Sequence, residues 1–200
     1  MSSTVQTVQY RPAGKVPNVT ASTTRDRILD ALQEILVQEG GSAVTLEAVA
    51  AAAGISKGGL LYHFPSKEAM VNGLVGRLAE QADDEFNEAR STPGGVVRTF
   101  LHTSVPQSSE AAVYWSIIAA LRSNEFGSEE ARLRINHIFA MWSTLLNEEI
   151  GDPVLAETIR LVGDGLYLSA LAGLPQPDPE LLAGLTDRLI AQADAARLGR

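Results

Sequence analysis

Residues 23–66 contain a regular series of helix-capping residues separated by helix breaks, and this series limits the fold more than any other feature of the sequence. The four capping residues are Thr23, Thr45, Ser56 and Ser66. A hydroxyl at such a position accepts a hydrogen bond from the backbone of a helix's first turn. Gly40-Gly41, Gly54 and Pro65 interrupt the segments that follow the first three caps. The series predicts three helices before residue 64 and a fourth that begins after Ser66.

The remaining sequence is also patterned as helix. The fourth helix should extend to about residue 90, and further helices are predicted over 96–103, 109–123, 129–150, 153–172 and 179–198. Six apolar residues of the 129–150 segment are predicted to share one face: Ile135, Ile138, Phe139, Trp142, Leu145 and Leu146. No segment alternates with a period of two, so we predict an all-α fold. Residues 1–22 have few apolar residues and no period, which indicates a flexible tail.

Several classes of site and protein are disfavoured by what the 200 residues lack. There is no cysteine, which excludes disulfides, thiolate metal sites and a cysteine nucleophile. The three histidines are far apart in the sequence, and no catalytic motif such as GxSxG or HExxH occurs, so we predict a non-enzyme without metal or cofactor. No apolar run approaches the roughly 18–20 residues that span a bilayer, and the N-terminus lacks a signal-peptide pattern. We therefore expect a cytoplasmic protein without a membrane partner.

The charge distribution suggests that only one end of the molecule meets a polyanion. The chain carries a formal net charge of −8, which alone argues against nucleic acid. Residues 1–67, however, hold six basic and five acidic residues, a net of +1, whereas the remainder holds ten basic and nineteen acidic residues, a net of −9. A near-neutral front and an acidic back fit a nucleic-acid contact confined to the front.

The second and third predicted helices have the residues that a helix-turn-helix needs. Two short helices that cross steeply require a small residue at their contact, which Ala50 supplies. The turn requires a residue that tolerates a positive φ, which is Gly54, and Leu60 can anchor the second helix in the core. In such a unit the second helix enters the DNA major groove with its N-terminus first.

Two adjacent glycines, Gly58 and Gly59, lie in the first turn of this second helix. Each interior glycine destabilises a helix by roughly 0.8–1 kcal/mol relative to alanine, so their presence favours a close approach of DNA to the backbone. The helix N-terminus, with its free N–H groups and the cation of Lys57, attracts phosphate. The predicted DNA-contacting residues are Thr45, Ser56, Lys57, Gly58, Gly59, Tyr62, His63 and Lys67. The hydroxyl residues could equally be caps only, and Tyr62 and His63 could be ordinary surface aromatics.

Residues 23–75 resemble the TetR-type transcriptional regulators. The family pattern is T-x-x-x-[IV]-A-x-x-A-G-[VI]-S, a short recognition helix that ends in aromatic-His-Phe, and then S-K-E. The matching residues here are Thr45, Val49, Ala50, Ala53, Gly54, Ile55, Ser56, Tyr62, His63, Phe64, Ser66, Lys67 and Glu68. The chain departs from the pattern at Gly59 and Leu61. The resemblance would place a hydroxyl residue and a backbone-contacting tyrosine there, so an operator sequence cannot be carried over from a relative.

The resemblance implies an N-terminal three-helix DNA-binding domain joined by the long fourth helix to a C-terminal helical domain that binds ligand and dimerises. We assign the domains to residues 23–69 and 70–200. The resemblance further implies a homodimer that binds a palindromic DNA operator and, most often, a repressor that a small molecule releases. The last two helices would form the dimer interface. The small residues Gly163, Gly165, Ser169 and Ala170 could serve that interface or packing within the chain.

The candidate ligand pocket consists mainly of aromatic and apolar residues, which suggests a largely apolar effector. The predicted lining residues are Phe100, His102, Trp115, Ile118, Phe126, Phe139, Trp142, Asp164 and Tyr167. An aromatic stripe at helical spacing is also typical of an ordinary core, and Asp164 could bond to backbone at a dimer interface instead of anchoring a ligand. The alternative function is a helical protein that sequesters a small molecule or binds a partner and whose DNA-reading unit no longer works.

Overall fold

A computed structural model describes residues 23–105, 108–122 and 128–199. Its helices, in chain order, are α1 (Thr24–Glu39), α2 (Leu46–Ala52), α3 (Lys57–His63), α4 (Lys67–Arg90), α5 (Gly95–Thr103), α6 (Ser108–Arg122), α7 (Glu129–Ile150), α8 (Pro153–Leu171) and α9 (Pro179–Leu198). A 3₁₀ turn, Gly41–Ala43, follows α1. Every regular element in the described ranges is helical, which confirms the all-α prediction. The predicted tail over 1–22 lies outside these ranges.

The four predicted caps are all present. The hydroxyl of Thr23 accepts from the backbone N–H of Asp26, whose carboxylate accepts in turn from the backbone N–H of Thr23, both at 3.1 Å. The hydroxyls of Thr45, Ser56 and Ser66 each accept from the backbone N–H three residues on, at 3.0–3.1 Å. These bonds satisfy donors that have no partner within the helix, and so they fix where each helix begins.

The turn between α2 and α3 depends on a left-handed glycine, as the sequence indicates. Gly54 has a φ of 67°, its N–H donates to the carbonyl of Ala51 at 3.1 Å, and the N–H of Ile55 donates to the carbonyl of Ala50 at 3.0 Å. This pair of bonds is the Schellman arrangement that ends a helix. Ala50 is 3% exposed and Leu60 is fully buried, so α3 is held against α2 by the anchor that the sequence predicts.

Helix α4 connects the N-terminal helices with the rest of the molecule. Its 24 residues span about 36 Å at 1.5 Å per residue. α4 packs against α1 and also against α5 and α7, and α6 packs against α1. The C-terminal core centres on α7, which packs against α4, α5 and α8. Its fully buried side chains include Leu145, Leu146 and Ile150. None of the described helices is both long enough and apolar enough to cross a membrane.

Candidate nucleic-acid interface

Helix α3 is attached to the molecule along one narrow side and is otherwise open to solvent. It packs mainly against α2, and Leu60 is its one buried residue. Tyr62 is 87% exposed, and its ring contacts the ring of His63 edge-on with centroids 5.2 Å apart. Lys57, Gly58 and Leu61 are also exposed. A helix held by one anchor, with its N-terminus and one flank free, has the geometry that insertion into a groove requires.

The two glycines at the start of α3 are not required by packing within the chain. A Cβ at Gly58 would lie 3.9 Å from the hydroxyl oxygen of Ser56, and a Cβ at Gly59 would lie 3.4 Å from the same atom. Both distances are ordinary van der Waals contacts. Each glycine nevertheless lowers helix stability by up to about 1 kcal/mol relative to alanine. A side chain would therefore fit at either position without displacing the chain's own atoms.

The N-termini of α2 and α3 are linked by an ion pair that sequence reasoning missed. The Nζ of Lys57 lies 2.6 Å from the Oε1 of Glu47, and both side chains are more than half exposed. The hydrogen bond from Lys57 lowers the pKa of the Glu47 carboxyl. Glu47 lies in the first turn of α2, and it reaches the next helix because the turn at Gly54 is tight. The pair joins the first turns of α2 and α3, which Thr45 and Ser56 cap.

Lys67 has a contact within the chain. Its Nζ donates to the carbonyl oxygen of Gly41 at 3.2 Å, which ties the start of α4 to the 3₁₀ turn after α1. The residue is half-buried. Lys67 thus helps to position the N-terminal helices, in addition to any contact it makes with an external partner.

The predicted ligand-lining aromatics are divided between a packed core and the surface. Phe100 is 5% exposed and Trp142 is 9% exposed. The ring centroid of Trp142 lies 5.3 Å from that of Phe100 and 5.0 Å from that of Phe86, which joins α4, α5 and α7 in one aromatic cluster. In the structure these rings are packed as core. Phe139, by contrast, is 40% exposed, whereas the other five apolar residues predicted to share its face of α7 are buried.

The other predicted ligand-lining residues differ in how far they are buried. Ile118 packs against the core, Tyr167 is half-buried and His102 is exposed. Asp164 is half-buried and forms an ion pair with Arg160 on the same helix. Burial raises the pKa of Asp164, and the charge of Arg160 partly opposes this. The side chain of Trp115 and all of Phe126 lie outside the described parts of the chain.

Two surface clefts lie elsewhere. One, of about 310 Å³, is formed by residues of α1, α4 and α7, and the other, of about 460 Å³, by residues at the start of α9. None of the predicted ligand-lining residues borders either cleft. Within the described ranges no group of three or more His, Asp or Glu residues is arranged to hold a metal ion.

Comparison with known proteins gives matches over nearly the whole described chain. Residues 94–194 match the family model described as the tetracyclin repressor-like C-terminal domain, and residues 28–74 match the model of the bacterial regulatory proteins of the tetR family. The chain is 37% identical to the HTH-type transcriptional regulator AlkX of Mycobacterium tuberculosis over 78 aligned residues. The aligned region covers 38% of this chain and 37% of AlkX. The chain spans between about a third and a half of the length of the curated relatives it matches.

Solved structures extend the likeness to the whole fold. The chain is similar to NalD, the secondary repressor of the MexAB-OprM multidrug efflux pump in Pseudomonas aeruginosa, with a TM-score of 0.61 and 21% identity over 84% of this chain and 94% of NalD. It is also similar to the multidrug binding protein EbrR complexed with malachite green, with a TM-score of 0.62 and 23% identity over 82% of this chain and 96% of EbrR. With a family model matched over half of its length and a helix-turn-helix in place, the chain belongs to the tetR family of bacterial regulatory proteins.

Proposed function

We propose that the protein is a ligand-responsive transcriptional repressor that binds a palindromic DNA operator as a homodimer and leaves it when a small, largely apolar molecule binds. The observation that carries the DNA-binding part is that Gly58 and Gly59 lie at the start of the solvent-exposed helix α3, where a Cβ would clash with no atom of the described chain. These glycines weaken the helix, and packing within the described chain does not require them. The close approach of a DNA duplex to the backbone would explain why side chains are missing there.

The chemistry of the α3 surface supports this assignment. Ser56 and Thr45 place hydroxyls beside two helix N-termini, where backbone N–H groups and the helix dipole attract phosphate. The exposed ion pair of Lys57 with Glu47 is weak because water surrounds it, so a phosphate can compete with Glu47 for the ammonium. Tyr62 and His63 extend the surface by one turn for contacts with a DNA strand or with base edges.

An apolar stripe on α8 supports the homodimer. Val154, Leu161 and Leu168 are spaced by seven residues and are 78%, 57% and 56% exposed. Gly165 lies between two of them, and a Cβ there would meet nothing within 4 Å. A seven-residue repeat of exposed apolar residues is typical of a helix that packs against a partner helix. Gly163, in contrast, faces the chain's own α5, so among the small residues of α8 it is Gly165 that we assign to the interface.

Operator release follows if the effector favours one spacing of the two α3 helices. A two-fold dimer must hold these helices about 34–36 Å apart to reach successive turns of DNA. α4 joins each α3 to the C-terminal core, where the Phe86–Trp142–Phe100 cluster is packed. A ligand that opens this cluster and prefers the wrongly spaced dimer would weaken operator binding. The loss equals the difference between the ligand's binding free energies for the two dimer spacings, typically 1–3 kcal/mol. The structural likeness to NalD, a repressor, and to EbrR, a multidrug binding protein, motivates this part of the proposal.

A DNA-binding measurement tests the proposal. We expect the purified protein to bind the DNA upstream of its own gene, to discriminate that fragment from bulk DNA, and to weaken steeply between about 50 and 200 mM salt. Tyr62→Ala should weaken operator binding by about 1–3 kcal/mol without unfolding the protein, because the ring is exposed. Leu133→Ala, at a 60% exposed position of α7, is the control that should bind as wild type. Absent or salt-independent binding would favour the alternative of a sequestering protein. The pairing of Lys57 with Glu47 fits that alternative, because Glu47 occupies the cation that would otherwise meet DNA.

The dimer is tested separately by light scattering. Leu161→Glu places a charge in the α8 stripe and should convert a dimer into a monomer, whereas Leu133→Glu introduces the same charge at a comparably exposed position of α7 and should leave the dimer intact. A wild-type protein that is monomeric at micromolar concentration, or a Leu161→Glu variant that remains dimeric, would contradict the assignment of the interface to α8.

A further inference from the structure

The cleft of about 310 Å³ lies at the junction of the N-terminal helices with the C-terminal core, and basic side chains dominate its walls. Its walls include Arg25 from α1, Arg77 from α4 and Arg134 from α7, against one carboxylate, that of Glu80. In a chain with a net charge of −8, three guanidinium groups around one cleft are an unusual concentration of positive charge. None of these residues belongs to the α3 surface or to the aromatic cluster.

The three arginines differ in how far they are neutralised. Arg77 forms an ion pair with Asp30 at 2.6 Å and also donates to the side chain of Gln33 at 3.1 Å. Arg134 donates from Nε and Nη2 to one oxygen of Glu130, at 3.2 and 3.0 Å, which leaves its Nη1 without a bond to the described chain.

Arg25 has no carboxylate within 4 Å and donates no hydrogen bond among the residues that the structure describes. Its guanidinium lies 5.2 Å from the ring centroid of Phe64, over the ring face. The cation–π contact holds the group in place without neutralising its charge. Arg25 therefore keeps its donors available to an anion.

Two glycines of α4 border the cleft, and they have different reasons to be glycine. A Cβ at Gly73 would lie 2.6 Å from a ring carbon of Phe64 and 3.4 Å from Arg25, so packing within the chain excludes a side chain there. A Cβ at Gly76, one turn further on, would meet nothing within 4 Å. Glycine inside a helix destabilises it by about 0.8–1 kcal/mol relative to alanine, and no described contact explains Gly76. Its missing side chain leaves space where α4 lines the cleft.

The cleft also borders a polar joint between α4 and α7. The side-chain amide of Asn72 donates to Glu130 at 2.9 Å and accepts from the hydroxyl of Ser128, which is 2% exposed and caps α7. Glu130 is also the partner of Arg134. An anion that draws on Arg134 would therefore act on the same carboxylate that links α4 to α7.

We propose that this cleft binds a small anion that carries a phosphate or carboxylate group, held by Arg25 and Arg134 with Arg77 as a third positive neighbour. Guanidinium groups bind such oxyanions through charge-assisted, often paired hydrogen bonds. The open space beside Gly76 adds to the room for the anion, and Glu80 limits the affinity by repulsion. Because the bound anion contacts α1, α4 and α7 together, it stabilises one arrangement of the N-terminal helices relative to the core.

The test uses inorganic phosphate as the probe, with ionic strength held constant by chloride. We expect the melting temperature of the wild-type protein to rise with phosphate concentration beyond its response to chloride, since a ligand that binds only the folded state stabilises it. The double variant Arg25→Gln/Arg134→Gln should lose this rise. Arg132→Gln is the matched control, because Arg132 lies two residues earlier on α7, pairs with Glu129 and does not border the cleft; it should keep the rise. Glu80→Gln should enlarge it.

Two outcomes would overturn the proposal. One is a wild-type response to phosphate no greater than to chloride, or an equal response in the double variant. The other combines two results: phosphate competes with duplex DNA at fixed ionic strength, and the double variant loses the same amount of affinity for every DNA sequence. The cleft would then be a contact for the phosphate backbone of DNA and not a site for a small anion. The thermal measurement needs no DNA, so a failure to detect phosphate binding leaves the proposed repressor function untouched. A failure to bind operator DNA likewise leaves the anion site untouched.

Discussion

The glycines of α3 and the glycine at the centre of α8 illustrate two opposite uses of a missing side chain. A Cβ at Gly163 of α8 would lie 2.4 Å from a ring carbon of Phe100 and 2.5 Å from the hydroxyl oxygen of Ser104. A Cβ at Gly58 or Gly59 of α3 would have no contact shorter than 3.4 Å. In α8 the glycine admits a neighbouring helix of the same chain. In α3 a side chain would fit beside the chain's own atoms, so packing within the described chain gives no reason for the glycines.

The surroundings of a glycine therefore distinguish a role in packing from a role in recognition, without information from related proteins. A glycine that the chain's own atoms surround contributes to stability, because any larger residue would force those atoms apart. A helical glycine where a side chain would fit without a clash only lowers stability, which makes it a candidate for contact with a partner outside the chain. The following substitutions test that distinction, from the largest expected effect to the smallest.

The largest effect is expected at Gly163. Gly163→Ala should destabilise the protein by about 1–3 kcal/mol, because the added methyl group overlaps Phe100 and Ser104 in a packed region. Chemical denaturation followed by circular dichroism measures the change. Gly76→Ala is the control inside a helix with open space, and it should stabilise the protein by up to about 1 kcal/mol. Equal effects of the two substitutions would mean that the contact at Gly163 relaxes freely.

The caps of α3 and α4 allow a matched test of the α3 surface. Ser56→Ala and Ser66→Ala each remove one side-chain acceptor at a helix start and should each destabilise the protein by about 1 kcal/mol. Ser56→Ala should in addition weaken operator binding, measured by fluorescence anisotropy, because we assign its hydroxyl to a DNA contact. If both variants lowered operator affinity equally, Ser56 would be a cap and nothing more.

The smallest effect is expected at the ion pair between α2 and α3. Glu47→Gln removes the partner of Lys57 and one negative charge beside the proposed DNA surface, so operator affinity should rise a few-fold and its salt dependence should steepen. The melting temperature should change little, since exposed ion pairs contribute little stability. Glu180→Gln changes the net charge equally, but at the first turn of α9, and should leave affinity unchanged. A Glu47→Gln variant with wild-type affinity would show that Lys57 takes no part in binding.

Local signals in the sequence determined the helices closely. The predicted segments 129–150 and 179–198 coincide with α7 and α9, and the caps and the turn at Gly54 are as expected. These features depend on neighbouring residues, whose hydrogen bonds and backbone angles a sequence displays directly.

Features that depend on contacts between distant residues were not predictable in the same way. The sequence did not reveal that Glu47 reaches Lys57, that Phe139 faces solvent, or that Gly163 packs on Phe100 rather than on a partner helix. Each of these depends on how helices cross, which helical periodicity leaves open. The arginine cleft has the same origin, because its three arginines come from three helices.

The double variant Gly58→Ala/Gly59→Ala tests the central claim most directly. If the glycines of α3 are present to admit DNA, the variant should be more stable than wild type by up to about 2 kcal/mol in chemical denaturation, because two helical glycines are replaced without an intrachain clash. Its operator affinity should nevertheless fall by about ten-fold or more, or about 1.4 kcal/mol. A variant that is more stable and binds the operator as tightly as wild type would contradict the account.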